Sequence, residues 1–219
     1  AASAGADPAR MSRDEIIDLA RTGVDYSYWW GHDQWRYDGT QLGSCSGSCP
    51  DCTHTGSYGA DCSGYVAKVW QVPSPIDITT YSHPYSTESF RYASHHWDQV
   101  NRSDAVRGDA MVYRNSANTG GHIVLYESGD PWGSAWVYEA KGCAYGIVHN
   151  LRSIGSSYVA IRRHNIDDTP SEGIIQGVVF EDTGAGFTDA SSRLSGASVV
   201  VTETGETLTT DETGSFTAP

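Results

Sequence analysis

The chain has 219 residues, 38% of them hydrophobic, and a formal net charge of -13. That composition supports a core, but no run approaches the roughly 20 apolar residues of a membrane helix, so no transmembrane segment is expected. Only Lys68 and Lys141 among the fourteen basic residues are lysines, and no basic cluster occurs. A surface this acidic repels a polyphosphate backbone, which excludes nucleic acid as an expected partner.

Residues 1–11 are expected to form an N-terminal extension. Its small residues and missing initiator methionine read as the start of a mature, processed chain from a secreted or cell-envelope protein. "SRDEIIDLARTG" at 12–23 predicts a capped helix, with Ser12 as N-cap, Glu15 closing a capping box and Gly23 as the stop. Ile16, Ile17 and Ala20 make its apolar stripe. Residues 24–58, rich in aromatics, Gly and Ser, predict a long loop. A second helix is predicted from about Cys62 to Gln71, stopped by the prolines at 73 and 75, with Val66, Val69 and Trp70 inward.

The apolar period then changes to two. "DAMVYR", "GHIVLYES", "SAWVYEAK", "GIVHNLRS" and "YVAIRRH" predict five antiparallel strands across about 109–164. Helices followed by a run of strands argue for an α+β fold. Polar residues 166–173 predict a linker. Residues 174–219, with β-branched runs, acidic turns and no cysteine, predict a partial β-sandwich, because so short a segment cannot complete one.

Five cysteines carry the chemical question. Cys45, Cys49 and Cys52 crowd a stretch of Gly, Ser and Pro, which reads as a cross-linked loop in an oxidising compartment. Five is odd. With Cys143, those three can form two bridges in any of three connectivities, leaving Cys62 over. A zinc site at Cys45, Cys49, Cys52 and His54 competes, but a single C-x-x-C in an oxidising setting favours disulfides. Cys62 opens the second helix, where unpaired N–H groups and the helix dipole favour thiolate; the rival reading is a buried structural cysteine.

A nucleophilic cysteine needs a base. His32, His54, His83, His95 and His96 lie in polar or loop stretches, and His149 and His164 sit near strand ends without an evident partner. His122 opens a strand. If Glu127 lies opposite Ser134 across the following hairpin, His122 lies directly opposite Glu139 and a carboxylate orients its ring. The alternative is a solvated strand glutamate.

"YWWG" at 28–31, "DCSGYV" at 61–66, "RGDAMVY" at 107–113 and "GHIVLY" at 121–126, in that order, resemble NlpC-type cell-wall cysteine peptidases over about residues 12–165. The resemblance implies a papain-like α+β core with N-terminal helices packed on a five-stranded antiparallel sheet. It implies Cys62 as nucleophile, His122 as base and Glu139 as third member, where the family usually has His, Asn or Gln. Tyr28 corresponds to a tyrosine that lies against the nucleophile and helps bind the reacting carbonyl. Asp61 and Ser63 correspond to positions that recognise the free amine of a stem peptide. The implied substrate is a peptidoglycan stem peptide, cut at a γ-D-glutamyl–diamino acid bond through a thioester, with no metal or cofactor required. Residues 32–58 form an insertion longer than the family's, beside the nucleophile. The segment from 174 is similar to carboxypeptidase-regulatory-like, transthyretin-like sandwiches without their last strands, which implies a truncated domain or a processed fragment. Two other functions fit the residues: a cysteine amidase, deamidase or acyltransferase on another peptide-like substrate, and an inactive cell-surface binding module.

Overall fold

The first helix forms where its capping signals place it. In the computed structural model, α1 spans Arg13–Thr22; the Ser12 hydroxyl accepts from the Glu15 N–H, and the Glu15 carboxylate accepts from the Ser12 N–H. Ile16, Ile17 and Ala20 are fully buried. The structure describes residues 7–93, 95–168, 175–181, 193–201 and 205–218. The first six residues of the expected extension and residues 169–173 of the expected linker lie outside these. The chain divides into two units, Ala1–Asp168 and Thr169–Pro219.

In the first unit, β1 (Met11–Ser12) pairs in parallel with β12 (Ile166–Asp167), joining the two ends of the unit. β2 (Asp33–Gln34), in the insertion, pairs with β5 (Gly59–Ala60) just after it, and β3 (Ser44–Ser46) pairs with β4 (Thr53–Thr55) within it. Next come α2 (Cys62–Val69) and α3 (Thr87–Tyr92). Then β6 (Trp97–Val100), β7 (Ala110–Arg114), β8 (Gly121–Gly129), β9 (Ser134–Gly142), β10 (Gly146–Ser153) and β11 (Val159–Arg163) form one antiparallel sheet, ordered β10-β9-β8-β7-β11-β6.

This corrects the expected architecture. The fold is predominantly β, with three α-helices of ten, eight and six residues among the described residues, and the main sheet has six strands. It is not an α+β papain-like core with helices on five strands. The additional strand, β6, pairs with β11 along Trp97–Val100. It is four residues long, its two central residues are the exposed Asp98 and Gln99, and so it carries almost no period-two signal. Residues 24–58, expected as loop, supply the short insertion pairings.

Alternation along the strands gives the main sheet two buried faces. Val112, Ile123, Leu125 and Tyr138 pack with Ile16, Val66 and Trp70 of the helical side. Their neighbours Met111, Val124, Tyr126 and Val137 form a second cluster with Ile154, Tyr158 and Ala160. α2 is buried along its whole length. A Cβ at Gly64 would collide with the His32 carbonyl and the Asp33 side chain, so this close approach requires glycine.

In the second unit, β13 (Ile175–Val178) pairs antiparallel with β16 (Ser215–Ala218), and β14 (Ser198–Val201) with β15 (Glu206–Thr209). Residues 182–192 and 202–204 of the expected sandwich segment lie outside the described residues.

Candidate active site

Cys62 is the first residue of α2 and is 8% exposed. Asp61 caps the helix, its Oδ1 accepting from the Gly64 N–H at 2.8 Å. Burial, and then the Asp61 charge, push the Cys62 thiol up to about 12, although backbone hydrogen bonds at Ile123, Ser63 and Cys62 work the other way. The expected thiolate is therefore a thiol at rest. A helix terminus contributes about 1 kcal/mol, less than one pKa unit, whereas burial shifts a group by as much as several units.

His122 lies in β8 opposite Tyr113 of β7. Its Nε2 donates to Glu139 Oε2 at 2.7 Å, and Glu139 is fully buried. The other Glu139 oxygen accepts from Asn150 Nδ2 at 2.9 Å, and Arg152 donates to Oε2. Burial alone would raise the Glu139 carboxyl. Hydrogen bonds from His122 and Asn150, with the charges of His122 and Arg152, outweigh it and hold the carboxyl below its ordinary range. The ladder itself is offset from the assumed one. Leu125 lies opposite Tyr138, and the register shifts between Tyr126 and Ser128. On the His122 side of that shift the offset is by two residues, which keeps the side chains there on their faces, so the His122–Glu139 contact survives as a diagonal pair.

Cys62 and His122 line one cleft of about 960 Å³, together with Tyr28, Asp61, His83 and Tyr158. Tyr28 is 6% exposed. Burial first, then the nearby charges of Cys62 and Asp61, raise its phenol, so the hydroxyl stays protonated. Asp61 and Ser63 are brought together, but with each other. Ser63 Oγ donates to Asp61 Oδ1 at 2.9 Å, while Oδ2 accepts from the Gly31 N–H at 3.0 Å and from His83 Nε2 at 2.7 Å. With Gly64 the carboxylate has four donors. It is occupied in holding the helix start and leaves no open acceptor for a substrate amine.

The cysteine connectivity resolves as Cys45–Cys52 and Cys49–Cys143, with Cys62 free. The three sulfurs of the zinc alternative are thus all held in disulfides, Cys49 with Cys143, and His54 instead meets Ser27 Oγ at 2.8 Å and stacks on Trp29. Cys49 forms part of the cleft wall.

Sequence reasoning missed four residues of the site. His83, set aside as a loop histidine, lines the cleft; burial lowers its affinity for a proton, but the Asp61 hydrogen bond and charge more than offset this and raise it. Asn150 and Arg152 pair opposite Val137 and Ala135 of β9, so alternation across the β9–β10 hairpin puts both on the Glu139 face and would have found them. Tyr158 is 6% exposed, accepts from Arg152 Nη2 at 3.3 Å and feels the Cys62 charge. It follows a Gly-Ser turn and carries no local signal. The chain gives no match to a protein-family model, and no significant match to a curated protein or a solved structure.

Proposed function

We propose that the chain is a cysteine amide hydrolase of NlpC type, secreted or held in the bacterial cell envelope, and acting on peptidoglycan stem peptides at a γ-D-glutamyl–diamino acid bond. One observation carries this reading: a free cysteine at a helix start shares a cleft with a histidine whose Nε2 is fixed by a buried carboxylate. The two disulfides fit an oxidising compartment.

Because Nε2 donates to Glu139, Nδ1 is the basic nitrogen of His122. As Cys62 Sγ attacks the amide carbon, Nδ1 takes the thiol proton, and Glu139 compensates the imidazolium that forms. The tetrahedral oxyanion meets the backbone N–H of Cys62 and the hydroxyl of Tyr28. Collapse breaks the C–N bond, and His122 returns the proton to the leaving amine. Water, deprotonated by His122, then attacks the thioester and releases the acid and the Cys62 thiol.

The test is digestion of purified sacculi by wild type, Cys62→Ala and Glu139→Gln, with released muropeptides read by mass spectrometry. Release by wild type, none by Cys62→Ala and a loss of about a hundredfold in kcat for Glu139→Gln are expected. Equal products from wild type and Cys62→Ala overturn the mechanism. The saturated Asp61 favours one second reading, an amidase or acyltransferase whose substrate presents no amine to that carboxylate. Turnover of simple peptide amides without muropeptide release would select it.

A further inference from the structure

The cleft carries the opposite charge to the protein. Arg114, Lys141 and Arg152 all line it, and Asp61 is the one acid among its lining residues. In a chain with 27 acidic and 14 basic residues this is a local reversal of sign. Two of these charges are compensated locally: Asp61 by His83, and Arg152 by the buried Glu139. The other two are not. Arg114 donates from Nε and Nη2 to Asn118 and from Nη1 to Thr87 Oγ1. Lys141 Nζ donates to Asn150 Oδ1 at 2.8 Å and lies 4.7 Å from the centroid of the Tyr145 ring. These partners are neutral. They fix each cation in place without cancelling its charge, and no carboxylate among the described residues lies at ion-pair distance from either.

Their placement is specific. Arg114 ends β7 opposite Gly121, the residue before His122, and Lys141 lies on β9 two residues beyond Glu139. The two cations thus stand on the strands that flank the strand of His122. Fixed cations in a concave site focus a positive potential where substrate sits, and a carboxylate pairs well with such held donors.

We infer that Arg114 and Lys141 are carboxylate-binding subsites on the two sides of the scissile amide, so that the site selects peptides bearing a free carboxylate on each side of the bond. This rests on the reading of the cleft as an amide-hydrolysing site. A γ-linked glutamyl residue fits it, since its α-carboxylate stays free beside the amide, and a diamino acid with a free carboxylate fits the other side.

Binding and turnover test it separately. The full-length Cys62→Ala protein is titrated by calorimetry with a γ-D-glutamyl–diamino acid peptide carrying free carboxylates, and with the same peptide amidated at both. The free acid is expected to bind about tenfold more tightly or better, a preference that weakens with salt. Lys141→Gln and Arg114→Gln should each reduce the preference, and Arg114→Lys should keep it. Lys141 is exposed and makes its contacts on the β9–β10 hairpin, so its variant reports even if Arg114→Gln loosens the β7–β8 connection. Equal affinity for both peptides, binding of neither, or an unchanged preference in both Gln variants overturns the inference. Wild-type hydrolysis is then measured on the same pair. Selective binding without hydrolysis removes the hydrolase reading and leaves the subsites; equal hydrolysis of acid and amide does the reverse.

Discussion

At the first turn of α2, Cys62 feels two opposing fields. Backbone donors favour sulfur as an anion; burial and the Asp61 carboxylate favour the neutral thiol, and they win, taking it up to about 12 from an ordinary 9.0. The sign for stability follows. The folded state holds this proton more tightly than the unfolded chain, so the contribution is whole below pH 9 and is lost as pH rises towards 12. Thermal melts across that range should therefore show wild type losing stability more steeply with pH than Cys62→Ala; parallel curves would contradict the raised thiol. The functional corollary is that the resting cysteine is not a preformed ion-pair partner. In the proposed mechanism deprotonation therefore accompanies attack, which places the demand on His122 and on the carboxylate that orients it.

The elements differ in how plainly the residues announce them. α1 was legible to its caps because Ser12 and Glu15 must both be present for the box to close. α2 was legible at its start, where Asp61 supplies the cap, but not in its depth of burial. That depth is set by Gly64 lying against the His32 carbonyl, a contact between segments 32 residues apart in the sequence. Gly64→Ala should cost about 1–3 kcal/mol through overpacking, seen as a lower midpoint in urea with an unchanged slope. β6 was illegible because the edge strand keeps only Trp97 fully inward and gives no alternation to read. The His122–Glu139 pair could be read despite a wrong register, since on the His122 side of the bulge the error was even and a ladder repeats every two residues. The surroundings of Asp61 were illegible for the opposite reason. Its motif placed it beside Cys62, but two of the donors that occupy it, Gly31 and His83, come from segments whose approach no motif encodes.

At the scale of the first unit, the Cys49–Cys143 bridge joins the insertion to the β9–β10 turn across 94 residues. In the chain-entropy account, closing a loop of that size stabilises the folded state by roughly 4–5 kcal/mol. The paired variant Cys49→Ser/Cys143→Ser should lower the thermal midpoint by several degrees and raise KM, because Cys49 belongs to the cleft wall. A lower midpoint with unchanged KM would confine the bridge to a scaffolding role.

The burial that quiets Cys62 also bears on how such a chain acquires its bridges. Thiol–disulfide exchange requires a thiolate with access to the disulfide it attacks. Once α2 has docked, the fifth cysteine lacks the first of these, since it is buried and holds its proton far above neutral pH. The remaining four can then exchange among themselves as if the odd one were absent. The packing that makes Cys62 slow to ionise thus also protects the native pairing from scrambling.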